Sequence, residues 1–285
     1  MTALLERLGR SPRERLVIIT VDGLGASNAG NEAIRLALQT SAGRDPLTSS
    51  ASLQVPCPWA RGGAKVAAHH AEAIGVELTL NCAPEDYRWG SITHSPSLND
   101  GSGALPSTVI DLLDHADTLE VARECRAQIG RAGQWGIEPA YLTSHLDAMV
   151  GRPEFFDVLM ELAVDFGLPV RLPDPSVDLG FEARVLAESE AVLTPDRVVQ
   201  APTGRDVREA ASEVLRDLNP GVTEIVARPA IDTPELRAMT PDWAARAGDA
   251  LFVTHDWAFR ALLQRSGAEL ISWSLLTRAL RQQAT

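Results

Sequence analysis

Apolar and polar positions along the 285-residue chain fall into short blocks of alternating period. Leu16-Val17-Ile18-Ile19 is an unbroken apolar run between Arg13-Glu14-Arg15 and Gly23-Leu24-Gly25, the pattern of a buried strand. Residues 31–39 follow with helical composition, then a second strand over Ser50-Ala51-Ser52-Leu53-Gln54-Val55, stopped by Pro56 and Pro58. An Ala-rich helical stretch over 59–73 leads through Gly75 into the strand Val76-Glu77-Leu78-Thr79-Leu80. Residues 118–134 place Ala122, Cys125 and Ile129 on one helical stripe, and Tyr141-Leu142-Thr143 is a short strand ending at Ser144-His145. Pro153 opens a helix that Gly167 closes, and Pro169-Val170-Arg171-Leu172 reads as the next strand. An amphipathic helix at 206–218, a strand over 223–227, a helix near 255–266 and a strand over 270–273 complete the pattern.

Repeated strand-then-helix units imply a parallel sheet. Seven or eight of them predict an α/β fold, a TIM-like (β/α) barrel of seven or eight parallel strands, closed or nearly so, in a single domain over 1–285. The irregular stretch 82–108, rich in Pro, Gly, Ser and Asn, interrupts the rhythm, and a loop of that length is functional or mobile. Residues 173–203 are less regular. Gly23-Leu24-Gly25 lacks the third glycine of a dinucleotide turn.

The 38 Asp+Glu against 26 Lys+Arg give a net charge of −12, which repels phosphate backbones and anionic lipid. Nucleic acid and membranes are therefore not expected as partners; a small-molecule substrate is, with at most a second copy of the chain. No apolar run reaches the roughly 20 residues of a membrane span, and the opening residues lack a signal-peptide core. Three cysteines, Cys57, Cys82 and Cys125, lie far apart, as reduced, buried thiols of a cytoplasmic protein do.

In barrels of this kind the chemistry sits at the carboxyl ends of the strands. Those ends carry Asp22, Glu77, His145 (with Asp147 two residues on) and Arg228, a plausible acid–base constellation. Each has a duller alternative: a turn-capping Asp22, an outward-facing Glu77, a satisfied core His145, a structural ion pair for Arg228. In the long loop, Tyr87-Arg88-Trp89 either walls a ring-shaped ligand or pins the loop, and His94 is placed to reach a substrate. His69-His70, His115 and His255 are weaker candidates.

An ordered series of motifs resembles the ChbG/YdjC (HpnK-like) carbohydrate deacetylase family over nearly the whole chain. Asp22-Gly23-Leu24-Gly25 is similar to an Asp-Asp-Phe-Gly turn, and Ser49-Ser50-Ala51-Ser52-Leu53-Gln54-Val55 to a Thr-Ser-x-Ser-x-Met-Val strand. Gly75 to Leu80 resembles Gly-Val-His-Leu-Thr-Leu, and Tyr141 to His145 resembles His-Leu-Asp-Ser-His. Phe166 to Arg171 resembles Tyr-Gly-Leu-Pro-x-Arg, and Glu224 to Pro229 resembles Glu-x-x-x-His-Pro.

The resemblance implies a distorted (β/α) barrel and cation-dependent hydrolysis of the amide of N-acetylated sugars. It implies a general base at Asp22 and a metal ligand at His145. The family's other two ligands, an Asp and a His, are here Gly23 and Glu77, while Tyr141, Thr143 and Arg228 replace a His, an Asp and a late His. Tyr141 and Thr143 thereby join Tyr87, Trp89 and His94 as substrate-contact candidates. One ligand lost and one cation gained point to metal-independent acid–base chemistry with no cofactor: elimination, isomerisation, epimerisation or cyclisation of a small substrate, secondary metabolites included. The alternatives are a deacetylase with one divalent cation (Mg, Mn or Zn) on Asp22, Glu77 and His145, and a non-catalytic ligand-binding protein.

Overall fold

The computed structural model describes residues 3–39, 46–68 and 74–283. His69 and His70, and the end of the helix expected over 59–73, lie outside the described residues. The elements run α1 (Ala3–Arg7), β1 (Arg15–Leu24), α2 (Asn28–Leu38), β2 (Ser50–Leu53), α3 (Ala60–Ala67), β3 (Ile74–Leu78), α4 (Val109–His115) and α5 (Thr118–Gln134). The second half runs β4 (Leu142–Ser144), a 3₁₀ segment (His145–Val150), α6 (Pro153–Phe166), α7 (Ala183–Ser189), β5 (Arg197–Gln200) and α8 (Arg208–Arg216). It closes with β6 (Gly221–Ala227), α9 (Pro234–Met239), α10 (Trp243–His255), α11 (Trp257–Arg265), β7 (Glu269–Ile271) and α12 (Trp273–Gln283).

All recorded strand pairs are parallel, in the order β4-β3-β2-β1-β6-β5, with β7 added to the first half of β1. The expected barrel is only partly formed. Among the described residues β4 and β5 do not pair, so the sheet is curled but open. The strand expected over 169–172 is reduced to one bridge, Val170 to Leu142, after which the Val170 amide turns to the Leu193 carbonyl at 2.9 Å. Pro169 and Pro173 bracket that short segment. Conversely, α7 and β5 form within the less regular 173–203, and α9 and α10 form where no element was expected.

The curl has a polar inside. Val17, Ile19, Val21, Leu53, Val76, Leu78, Leu142, Ile225 and Ala227 pack outward into the main core with α2, α5, α6 and α8. The alternate positions Thr20, Asp22, Ser52, Glu77, Thr143 and Glu224 hydrogen-bond to one another or to common partners across the concave face. A second apolar cluster of Leu4, Leu5, Leu16, Ile18, Tyr141, Val222, Trp273 and Leu276 fills the end where the strands begin. The polar layer is thereby trapped between an apolar plug and the mouth at the carboxyl ends.

The loop 82–108 is packed down rather than free. The Arg88 guanidinium donates to the carbonyls of Cys82, Pro84 and Leu105 and to Asp100, and Glu124 of α5 accepts the amides of Ile92 and Thr93. No described helix is long and apolar enough to cross a membrane.

Candidate active site

The turn after β1 delivers Asp22 to the mouth. Gly23 and Gly25 both have left-handed φ (93° and 95°), and a side chain at Gly25 would strike Ala60 of α3. Asn31 and Ser27 fix the turn by accepting the amides of Gly25 (2.7 Å) and Gly30 (3.0 Å).

Below Asp22 lies a cation that sequence reasoning left out of the candidate residues. Arg171, from the short segment beyond β4, reaches back across the interior to β1 and β6, a distance only a curled sheet can close. Its Nε and Nη2 donate to Glu224 at 2.9 and 2.8 Å, and Nη1 and Nη2 donate to Asp22 at 2.6 and 3.1 Å. Nη1 also lies 3.3 Å from Thr143 Oγ1, so all five guanidinium donors have acceptors. Glu224 is completely buried and accepts further from Thr20 (2.6 Å) and Trp273 Nε1 (2.9 Å). Burial opposes charge on Arg171, but Asp22 and Glu224 outweigh it and raise its pKa.

Asp22, Glu77 and His145 meet through two small polar residues of β2 and its continuation. Ser52 Oγ lies 2.6 Å from Asp22 Oδ1 and 2.9 Å from Glu77 Oε2. Gln54 Nε2 lies 2.8 Å from both Glu77 Oε1 and His145 Nδ1, and those two atoms are 2.7 Å apart. His145 Nε2 makes no bond to a described residue, and the side chains of His145 and Asp22 keep 18% and 12% exposure, against 7% for Glu77. The mouth thus exposes an imidazole edge and one carboxylate.

The two carboxyls are driven apart in pKa. Burial works against ionised Glu77, but His145, Gln54 and Ser52 outweigh it and bring it down to about 2. For Asp22, burial and the neighbouring Glu77 charge outweigh Arg171, which is shared with Glu224, and the pKa is raised.

The other expected residues are distributed unevenly. Arg228 is half-buried at the end of β6 and next to Asp22 in register. Thr143 is buried against Arg171, and Tyr141 lies beneath the site, fully buried and stacked on Trp273 at 4.4 Å. Tyr87 and Trp89 meet edge to face at 6.2 Å, with Trp89 buried. His94 is exposed on the loop and makes no side-chain hydrogen bond to a described residue. After His145, Leu146 and Asp147 are both left-handed (φ 50° and 56°), and Asp147 is exposed with no hydrogen-bond partner for its carboxylate among the described residues. Asp111 and Thr254 hold His115 and His255 at the surface.

The sequence pattern of the family described as YdjC-like protein matches residues 16–265. The chain belongs to the YdjC-like family. A protein of Thermus thermophilus described as a carbohydrate deacetylase is 33% identical over 92% of this chain and 94% of its own. One of Brevibacillus brevis with the same description is 29% identical over 55% of this chain and 59% of its own. Among solved structures, one described as a putative cellobiose-phosphate cleavage protein from Enterococcus faecalis superposes with a TM-score of 0.79. It covers 92% of this chain and 99% of its own at 23% identity.

The YdjC-like resemblance implies a divalent cation. Among the described residues no group of three His, Cys, Asp or Glu side chains is placed to hold a metal. Glu77 and His145 Nδ1 bond to each other, the Gln54 amide nitrogen sits against both, and Arg171 donates to both oxygens of Asp22. Gly23, where the family's turn has a second Asp, contributes no side chain.

Proposed function

We propose that this YdjC-like protein is an enzyme that moves protons on a small, carbohydrate-like substrate without a metal ion. The observation that carries this is the pair of carboxyls bridged by Ser52 with opposite pKa directions. A hydroxyl has one hydrogen, so Ser52 can donate to one of them only. The second contact closes when the other carboxyl is protonated. A neutral Asp22 donating to Ser52, and Ser52 donating to ionised Glu77, gives each of the two Ser52 contacts a hydrogen and forms a relay from the mouth to the His145 pair.

In that arrangement Asp22 gives a proton to, or takes one from, a substrate atom at the mouth. His145 Nε2, with its other nitrogen held by Glu77, serves as the opposite partner. Isomerisation, epimerisation, elimination and cyclisation need only such an acid and base. The carbohydrate character comes from the description of the relatives.

The test is solvent-proton exchange. Protein purified without chelators is assayed for bound metal, then incubated in D₂O with N-acetylated hexosamines, and substrate C–H positions are followed by NMR. Deuterium uptake by metal-free protein is expected, reduced roughly 10²- to 10⁴-fold in Asp22→Asn and His145→Ala. Uptake or turnover that both variants leave unchanged refutes the reading. The 33% identity to a carbohydrate deacetylase favours a second reading, hydrolysis of an N-acetyl group with a cation on Asp22, Glu77 and His145. That reading requires stoichiometric metal and acetate release abolished by EDTA.

A further inference from the structure

Two arginines at the same mouth have no hydrogen-bond acceptor among the described residues. Arg228 follows Ala227, whose Cα pairs with that of Val21, so it stands beside Asp22 at the carboxyl edge. Arg246 comes from α10, which is stitched to the end of β6: the Ala230 amide donates to the Arg246 carbonyl at 3.1 Å and the Arg228 amide to Asp249 at 2.6 Å. Among the described residues neither guanidinium makes a hydrogen bond or an ion pair, and the Arg246 Nε–H is fully buried without a partner. Burial and the nearby Arg228 charge both push Arg246 down, and the Glu77 charge acts on it from the site itself.

The contrast with Arg171 is informative. There, five donors meet five acceptors; here, up to ten guanidinium N–H groups converge with none. Among the nearby carboxylates, Asp242 acts on Arg246 through its charge without a hydrogen bond, and the others are committed. The Asp249 oxygens accept the backbone amides of Val207 and Arg228, and those of Glu77 serve His145, Gln54 and Ser52. In a chain of net charge −12, an unpaired cationic pair is not a generic surface feature. No described side chain supplies a hydrogen-bonded acceptor to either guanidinium.

We infer that Arg228 and Arg246 form an oxyanion-binding subsite, which takes a phosphate ester or carboxylate carried by the substrate whose reacting atoms lie at Asp22 and His145. Guanidinium pairs bind such groups through paired, charge-assisted N–H···O bonds, and burial strengthens them. The assignment extends the acid–base reading, because it says what anchors the substrate while protons move. It excludes no sugar skeleton, only neutral ones as preferred ligands.

Binding, read without turnover, tests it. Calorimetry and melting of the full chain are compared for N-acetylglucosamine, N-acetylglucosamine 6-phosphate, N-acetylmuramic acid and inorganic phosphate. The charged sugars are expected to bind about tenfold or more tighter than the neutral one, with the advantage shrinking as salt rises. Arg228→Gln and Arg246→Gln, checked for folding by circular dichroism, are each expected to remove most of that advantage. Preference for the phosphate or for the carboxylate sugar distinguishes the two sources of the anion. Equal binding of neutral and charged sugars, no binding of any probe, or a preference that survives both substitutions overturns the subsite. A protein that binds anions but exchanges no protons sinks the acid–base reading and leaves the subsite standing.

Discussion

Ser52 has one hydrogen to share between two carboxyls, and that shortage decides the ionisation of the site. Glu77, with a folded-state pKa near 2 against an ordinary value of about 4.3, adds stability in full above the ordinary value and loses it as pH falls through about 2. Asp22 has the opposite sign. Its raised pKa favours the folded state only at low pH, and that contribution disappears as pH rises through the folded-state value, so ionising Asp22 costs stability. Asp22→Asn, which imitates the protonated acid and keeps the contact with Ser52, is therefore expected to melt higher than the parent at pH 7. The difference should shrink toward pH 4. Glu77→Gln should melt lower at pH 7 and lose less between pH 4.5 and 2. Melting curves across that range check both, and an Asp22→Asn protein that is less stable at pH 7 contradicts the assignment. The acids and the imidazole were legible because they interrupt or end apolar strands. Arg171 and Glu224 were not, since each lies in a motif that also reads as a strand segment, and only the curl brings them to Asp22.

At the scale of elements, β3 and β4 show why a polar lining needs small residues. Gly75 and Tyr141 are side by side on the concave face, where a methyl at Gly75 would overlap the Tyr141 ring. The ring stays flat on Trp273, with an interplanar angle of 10°. Gly75→Ala should force the ring off that stack and cost about 1–3 kcal/mol, measured by denaturant unfolding. Tyr141→Phe should be neutral or stabilising, because the buried Tyr141 hydroxyl has no partner among the described residues and removing it breaks no bond. A large loss in Tyr141→Phe would mean that the hydroxyl has a partner after all. Local pattern found most elements because strands and helices here differ in period. It missed β5, whose Arg197-Val198-Val199-Gln200 buries only its two valines and reads as loop until β6 pairs with it. It overstated the segment around Val170 for the converse reason: the residues suit a strand, but prolines on both sides leave room for a single bridge.

On the scale of the whole molecule, an open sheet with a polar interior needs a lid at the end opposite the mouth. Trp273 supplies it. The residue begins α12, is fully buried among Leu4, Leu5, Leu16, Ile18, Val222 and Leu276, and donates Nε1–H to Glu224 at 2.9 Å. Its own amide bonds to Ser50 Oγ at 3.2 Å, and α12 is tied to α1 through Gln283 and Arg7. The same side chain thus plugs the apolar end and finishes the ion network that ends in Asp22, so packing and site electrostatics are coupled. Trp273→Ala should cost about 3–5 kcal/mol in unfolding and also weaken the hold on Glu224. Trp273→Phe keeps an aromatic face for Tyr141 and removes only the N–H, so it should cost much less in stability. It leaves Glu224 with the donors Thr20 and Arg171 alone, which strengthens its claim on Arg171 and lessens that of Asp22. The pH dependence of Asp22 exchange should then move upward in Trp273→Phe with little change in melting temperature. A profile that stays in place would show that the network acts only as structure.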